Sequence, residues 1–412
     1  MKQRTENPYR KDFPLLAAGS TAYLDNAATS QRPVCVLEAE REFYSKYNAN
    51  PMRGLYALGV EATERCEEAR ETVRRFIHAA SAKEIVFTRN TTESLNLVAY
   101  SYGFSKLKPG DEILVGIMEH HSNLIPWQMA ARQTGASLKF LECAPDGSIA
   151  EEHLQKAFSE RTRLVAVAHV SNVLGRENPI SRIVAMARER GAAVVLDAAQ
   201  SAPHKRIDVQ ALDVDFLAFS GHKLLGPMGI GVLYGKKELL EEMPPFLTGG
   251  EMIDSVTREG AVWAAVPHKF EAGTVNAAGA WGLRAAVGYL ESAGFQEIER
   301  RELSLTSMAL EGLKRIPHVH VIGSEKPEEH SGILTFTIED VHPHDVSAIL
   351  DADGIAVRAG HHCAQQLLQY LGISSATRAS ISFYNTEEEI GRFLRSIEGI
   401  RGKMGYGRQR LL

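Results

Sequence analysis

The sequence predicts a three-layer α/β domain on a mainly parallel sheet, followed by a smaller α+β domain. Three observations carry this reading. Short, almost continuously apolar segments alternate with helix-like ones through the middle of the chain. Nearly every residue of interest falls just after one of those segments. From about residue 300 the alternation gives way to helices with a few strands. Strands apolar on both faces belong to sheets covered on both sides, and such sheets place ligands beyond the carboxyl ends of their strands.

In chain order, residues 84–88 (EIVFT) read as a strand and 91–100 as a helix. Residues 111–117 (DEILVGI) are the next strand and 123–135 the next helix. Then come a strand at 164–169 (LVAVAH), a helix at 180–190, and strands at 192–196 (AAVVL), 216–219 and 231–234. A long helix is expected within 273–294, entered through the small residues 277–280. Strands are expected after it at 332–338, 355–358 and 379–383. The expected organisation is an N-terminal segment, 1–20, packing on the small domain; a large domain, 21–285; and a small C-terminal domain, 286–412.

The chain has 412 residues, 44% hydrophobic content and a formal net charge of -5. This is globular composition, and it points to neither nucleic acid nor an anionic membrane surface. No apolar run is long enough to span a bilayer. The start, Met1-Lys2-Gln3-Arg4 with Pro8 and Pro14 beyond it, lacks the apolar core of a signal peptide. The tail bearing Arg401, Lys403, Arg408 and Arg410 reads as a solvated, partly disordered end. Cys35, Cys66, Cys143 and Cys363 are scattered and form no Cys-x-x-Cys pair, which fits a reducing compartment, the cytoplasm.

Asp197-Ala198-Ala199-Gln200 follows the 192–196 strand. A carboxylate there is either a cap or the partner of a cation. Ser220-Gly221-His222-Lys223 follows the next strand and leads into a Gly-rich turn. A lysine facing a pocket at that point can form a Schiff base with an aldehyde cofactor. The two residues make joint sense with pyridoxal phosphate, which needs a lysine for its aldehyde and an acid for its ring nitrogen. Thr91-Thr92-Glu93 opens a helix after a strand, as a plain cap or as a phosphate site. Glu119-His120-His121-Ser122-Asn123 offers a histidine to stack on a ring, and its spacing matches no zinc motif. His169-Val170-Ser171-Asn172 brings Asn172 to the same sheet edge. No G-x-G-x-x-G follows the first strand, which disfavours a dinucleotide fold. In the small domain, Arg358-Ala359-Gly360-His361-His362-Cys363-Ala364 precedes a helix starting near Gln365. A cysteine in such a loop, beside histidines and an arginine, is placed to react, whereas Cys35, Cys66 and Cys143 lack such neighbours.

Together with Tyr23-Leu24-Asp25-Asn26-Ala27-Ala28, Phe270-Glu271-Ala272-Gly273-Thr274 and Tyr384-Asn385-Thr386, these segments resemble the Suf-type (group II) cysteine desulfurases of the class V aminotransferase family over nearly the whole chain. The resemblance implies a fold type I, pyridoxal-phosphate-dependent homodimer that converts L-cysteine to L-alanine. A persulfide would form on Cys363 and pass to an acceptor protein for iron–sulfur cluster assembly. Lys223 would hold the cofactor, Asp197 its ring nitrogen and Gln200 its ring oxygen. His120 would stack on the ring and assist proton transfer. Thr91, Thr92, Ser220 and His222 would hold the phosphate, with Thr274 reaching the partner's cofactor. Asn172 and Arg378 would bind the substrate carboxylate, with Arg358 beside them, and no resident metal is implied.

The chain departs from the family at Met52-Arg53-Gly54-Leu55-Tyr56, where two histidines are usual. Val341-His342-Pro343-His344-Asp345 resembles the subgroup served by a zinc-containing scaffold-like acceptor, with His342 as the contact; a polar turn before a helix is the other reading. A selenocysteine lyase or a cysteine sulfinate desulfinase would use the same scaffold. A non-catalytic accessory protein is a remote alternative that the intact lysine, aspartate and cysteine oppose.

Overall fold

The computed structural model describes residues 7–406; Met1–Arg4 and, in the tail, Arg408 and Arg410 lie outside the described residues. A two-residue strand β1 (Ala22–Tyr23) leads into the large sheet, formed by β2 (Ile85–Thr88), β3 (Glu112–Gly116), β4 (Ser137–Leu141), β5 (Thr162–Ala168), β6 (Ala193–Asp197), β7 (Phe216–Ser220) and β8 (Gly231–Gly235). The order is β2-β8-β7-β6-β5-β3-β4. All neighbours are parallel except β8, which runs antiparallel to both β2 and β7.

Two apolar layers sandwich this sheet, and strand alternation assigns side chains to each. Val165 and Val167, Val194 and Leu196, and Leu217 and Phe219 join one core; Leu164 and Ala166, Val195, and Phe216 and Ala218 join the other. Every residue of β6 and β7 is buried, which explains why each is apolar up to its last residue, Asp197 or Ser220. The helix Ala277–Ala293 starts on small residues and packs against the helices Val34–Lys46 and Ala57–Phe76. A Cβ on Gly282 would fall within 2.5 Å of Pro227, so this approach requires glycine.

A hairpin of β9 (Ile253–Val256) and β10 (Ala261–Trp263) precedes that helix. Beyond it β11 (Val319–Ile322), β12 (Ile333–Ile338), β14 (Arg358–Gly360) and β15 (Ala376–Ser380) form an antiparallel sheet in the order β11-β12-β15-β14. The short strand β13 (Ile355–Ala356) pairs instead with β1. The helices Phe295–Arg315 and Glu387–Lys403 cover the small sheet through Leu305, Leu313, Phe393 and Ile397.

Several expectations shift. The strand expected at 379–383 lies at Ala376–Ser380. The apolar residues Ile381 and Phe383 are buried in a turn that Asn385 closes by accepting from the Ser382 N–H. The helix expected over 91–100 is α-helical only as Thr91–Leu97 and widens to π-helical turns over Val98–Gly103. Strands β4 and β11 had no expectation; both are short and largely half-exposed, each with a single buried residue. Position 285 falls inside the helix Ala277–Ala293. The N-terminal segment reaches the turn after β15: Asn7 Nδ2 donates to Phe383 O and Asn385 O, and Phe13 packs on Tyr384 and Tyr289. Among the described residues no helix is long and apolar enough to cross a membrane.

Candidate active site

The carboxyl ends of β2, β3, β5, β6 and β7 converge on one edge of the large sheet, and a cavity of about 280 Å³ opens there. Its lining contains Thr91, Thr92, His120, Asn172, Asp197, Gln200, Ser220, His222, Lys223, Arg358, Cys363 and Arg378, twelve of the thirteen candidates. The exception is Thr274, which sits exposed in the turn before the helix Ala277–Ala293. That turn is anchored at Glu271, which accepts from Arg70 at 2.6 and 2.8 Å and from the Phe87 N–H at 2.7 Å, all buried.

Asp197 ends β6 and is 6% exposed. The Ala199 N–H donates to its Oδ1 at 2.9 Å, and burial pushes its carboxyl above the usual range, while Lys223 opposes that shift. Lys223 follows β7; burial lowers its ammonium to about 8, against the pull of Asp197. His222 is held down to about 4 by burial and by Lys223. Hydroxyls gather beside them: Thr91 Oγ1 lies 2.7 Å from Ser220 Oγ, which also accepts from the Thr91 N–H at 2.9 Å, and Thr92 Oγ1 lies 2.7 Å from Ser122 Oγ. Gln200 Nε2 donates to Ala27 O at 2.9 Å, which ties the loop after β6 to the segment after β1.

His120 lies in the loop after β3. Its Nδ1 accepts from the Ser122 N–H at 3.1 Å, leaving Nε2 the protonated nitrogen. Burial and then Lys223 lower this imidazole to about 3, so it is neutral at working pH. Beneath it Glu119 is buried, accepting from the Ala168 N–H at 2.9 Å and from Asn123 Nδ2 at 2.6 Å; burial raises it to about 8.

The small sheet supplies the other part of the lining. Arg378, on β15 and 3% exposed, donates through Nη1 to Asn172 O at 2.8 Å, and its Nη2 lies 3.4 Å from Asp25 Oδ1. Its Nε has no hydrogen-bond partner among the described residues. Burial lowers this guanidinium to about 10, so it remains charged at neutral pH. Arg358 stands opposite Arg378 in the ladder and forks onto Asp25 at 3.0–3.2 Å. Cys363 is exposed, between β14 and the helix Gln365–Tyr370. It and His362 adopt φ of 55° and 53°, a left-handed conformation that costs a residue with a Cβ about 1–2 kcal/mol. By contrast Cys66 and Cys143 are buried, and burial raises their thiols to about 12 and about 11; burial also raises Cys35.

Sequence reasoning gave no role to Asp25, Glu119 or His121. The signal for Asp25 was its position just past β1; Glu119 and His121 flank the histidine that was singled out.

The fold and this set of hydroxyls, carboxylate and lysine define a pyridoxal-phosphate enzyme of fold type I. The class-V aminotransferase model matches residues 22–393, and the chain belongs to that family. It is 52% identical over 401 residues to a probable cysteine desulfurase of Halalkalibacterium halodurans, covering 96% of this chain and 98% of that one. The crystal structure of the Escherichia coli cysteine desulfurase CsdA, in an S-sulfonic acid form, superposes with a TM-score of 0.89 at 41% identity, covering 96% and 98% of the two chains. The apo cysteine desulfurase of Thermococcus onnurineus NA1 gives a TM-score of 0.91 at 44% identity, covering 95% and 97%.

Proposed function

We propose that the protein is a cysteine desulfurase using pyridoxal 5'-phosphate, and the observation that carries this reading is that Lys223, Asp197, Arg378 and Cys363 line a single cavity. The cofactor fits the residues present. Asp197 is a buried carboxyl with no cation bonded to it among the described residues, which suits a pyridinium nitrogen. Lys223 has an amine already inclined to lose its proton. Gln200 would face the ring oxygen, His120 the ring face, and Thr91, Thr92, Ser220 and His222 the phosphate. Bound to Lys223, the cofactor supplies an electron sink for bonds at the substrate's α- and β-carbons.

The chain's own residues do the rest. Arg378, with an unpartnered Nε, and Asn172 take the substrate carboxylate, and Arg358 adds positive charge beside them. The Lys223 amine would take the α-proton at Nζ and later return it to substrate carbon. The Cys363 thiolate would attack the substrate sulfur, and the carbon–sulfur bond would break with its electron pair left on the β-carbon, which takes up a proton. L-Alanine leaves, and a persulfide remains on Cys363, so every sulfur atom is accounted for.

Thr274 would complete the partner's phosphate site in a homodimer. The exposed apolar residues Val256, Val262 and Trp263 on the β9–β10 hairpin, with Leu55 and Tyr56, support such an interface. His342, exposed and capping the helix Pro343–Ala352 by accepting from the His344 N–H at 3.3 Å, is the contact for a zinc-containing acceptor protein feeding iron–sulfur assembly in the Suf manner; unchanged sulfur transfer by His342→Ala removes that role. We place the protein in the cytoplasm, where the thiol stays reduced. The domain division belongs at Gly294, between the helices Ala277–Ala293 and Phe295–Arg315, rather than at 285.

Alanine release from L-cysteine, L-selenocysteine and L-cysteine sulfinate, compared on the purified holoenzyme, tests the substrate. Preference for L-cysteine supports the reading. Preference for either of the others makes it a selenocysteine lyase or a desulfinase.

A further inference from the structure

His362 and Cys363 both hold left-handed backbone, a conformation that persists in such residues only where the surroundings impose it. Within the small domain His362 Nε2 lies 3.0 Å from Ala376 O and the Ala364 N–H donates to His361 O at 2.9 Å, and three further contacts reach the segment from the large sheet. Asn172 Nδ2 donates to His362 O at 2.7 Å. The remaining two come from one residue. The His121 N–H donates to Cys363 O at 2.6 Å, and His121 Nε2 accepts from the Gln365 N–H at 3.2 Å. Both bonds lie just past the Cys363 side chain, the backbone one on its own carbonyl and the imidazole one two residues further along. The second also satisfies an N–H of the first turn of the helix Gln365–Tyr370, a group with no partner inside that helix.

An accepting Nε2 requires a neutral imidazole. Burial and the neighbouring His361 both disfavour the charged ring, which is consistent with that bond. His121 adjoins His120 in the loop after β3. That loop therefore puts one imidazole into the cavity and uses the next to hold the thiol segment.

We propose that His121 is a positioning residue that clasps the Cys363 segment at the mouth of the cavity, so that the sulfur acceptor is placed by the same loop that places His120. The proposal rests on the desulfurase reading for its effect on turnover, but the clasp itself is measurable without it.

The test compares holoenzyme carrying His121→Ala, His121→Asn and His121→Gln. Glutamine extends an acceptor oxygen toward the Gln365 N–H, whereas asparagine is too short and alanine has none. Two quantities are read. The first is the rate at which iodoacetamide alkylates Cys363, corrected with Cys363→Ser. The second is kcat for alanine release, alongside the L-cysteine dependence of the cofactor's visible band. Alanine and asparagine variants are expected to keep the band and its response to L-cysteine, to lose about 5- to 50-fold in kcat, and to alter the alkylation rate at least about threefold. Glutamine is expected to restore most of both. The proposal is overturned if the alanine and asparagine variants match wild type in alkylation rate, or if glutamine rescues neither quantity. Wild type that releases no alanine from L-cysteine while the alkylation pattern holds would remove the desulfurase reading and leave the clasp standing.

Discussion

The two parts of the cavity lining are built differently. The residues at the ends of β2, β3, β5, β6 and β7 ride on a sheet packed on both faces, and Asp197, Gln200, Ser220, His222 and Lys223, at or just after the ends of β6 and β7, need no left-handed backbone. The thiol part comes from the small sheet and its loops. Its reactive residue sits on left-handed backbone, held by a few hydrogen bonds: from Asn172, two from His121, and from His362 to Ala376 O. A cofactor that stays in place through every turnover suits the first construction. A sulfur atom that must be received and then handed on suits a segment held by a few breakable bonds.

Substitutions should separate the two parts. The largest effect is expected for Lys223→Ala, which should lower turnover by about 10³-fold or more and abolish the visible band of the lysine-bound cofactor. Turnover near wild type would remove Lys223 from the chemistry. Next, Arg70→Met leaves Glu271 buried without its cation and should cost about 3–5 kcal/mol of stability, read as a lowered denaturation midpoint. A midpoint like wild type would mean that the anchor of the Thr274 turn lies elsewhere. Arg378→Lys keeps the charge but loses the planar fork, and should raise KM for L-cysteine about 10- to 100-fold with the band intact. An unchanged KM would place the carboxylate on another residue.

The mildest perturbation, with no residue replaced, is a change of pH. Lys223 is lowered to about 8, so the unprotonated amine is the minority below that pH and the majority above it. Uptake of pyridoxal phosphate by apoprotein should therefore rise with pH, by about tenfold per unit below 8, and level off above it. A flat profile from pH 6 to 9 would mean that Lys223 is not the titrating nucleophile.

The same contrast explains what the sequence disclosed. Asp197, Ser220 and Lys223 were legible because a fully buried strand writes an unbroken apolar run, and a polar residue directly after it stands out. Strands β4 and β11 were hidden because half-exposed edge strands of four or five residues lack that run. β15 was displaced because Thr377 and Arg378 are buried through hydrogen bonds, which an apolar pattern does not record. The lining positions were named from the strand ends and from resemblance, but the supports were not. Asp25 fixes Arg358 across 333 residues of sequence, and His121 reaches Gln365 across 244. Bonds of such separation leave no local pattern.

The central claim is that Cys363 takes the sulfur. The most direct measurement is the intact and peptide mass of the holoenzyme after one equivalent of L-cysteine, without reductant or acceptor, beside Cys363→Ser. The account predicts one added sulfur atom on the peptide containing Cys363, one alanine released, and neither in the serine variant despite an intact cofactor band. Alanine released in equal amount by both proteins, with Cys363 unmodified, would contradict it.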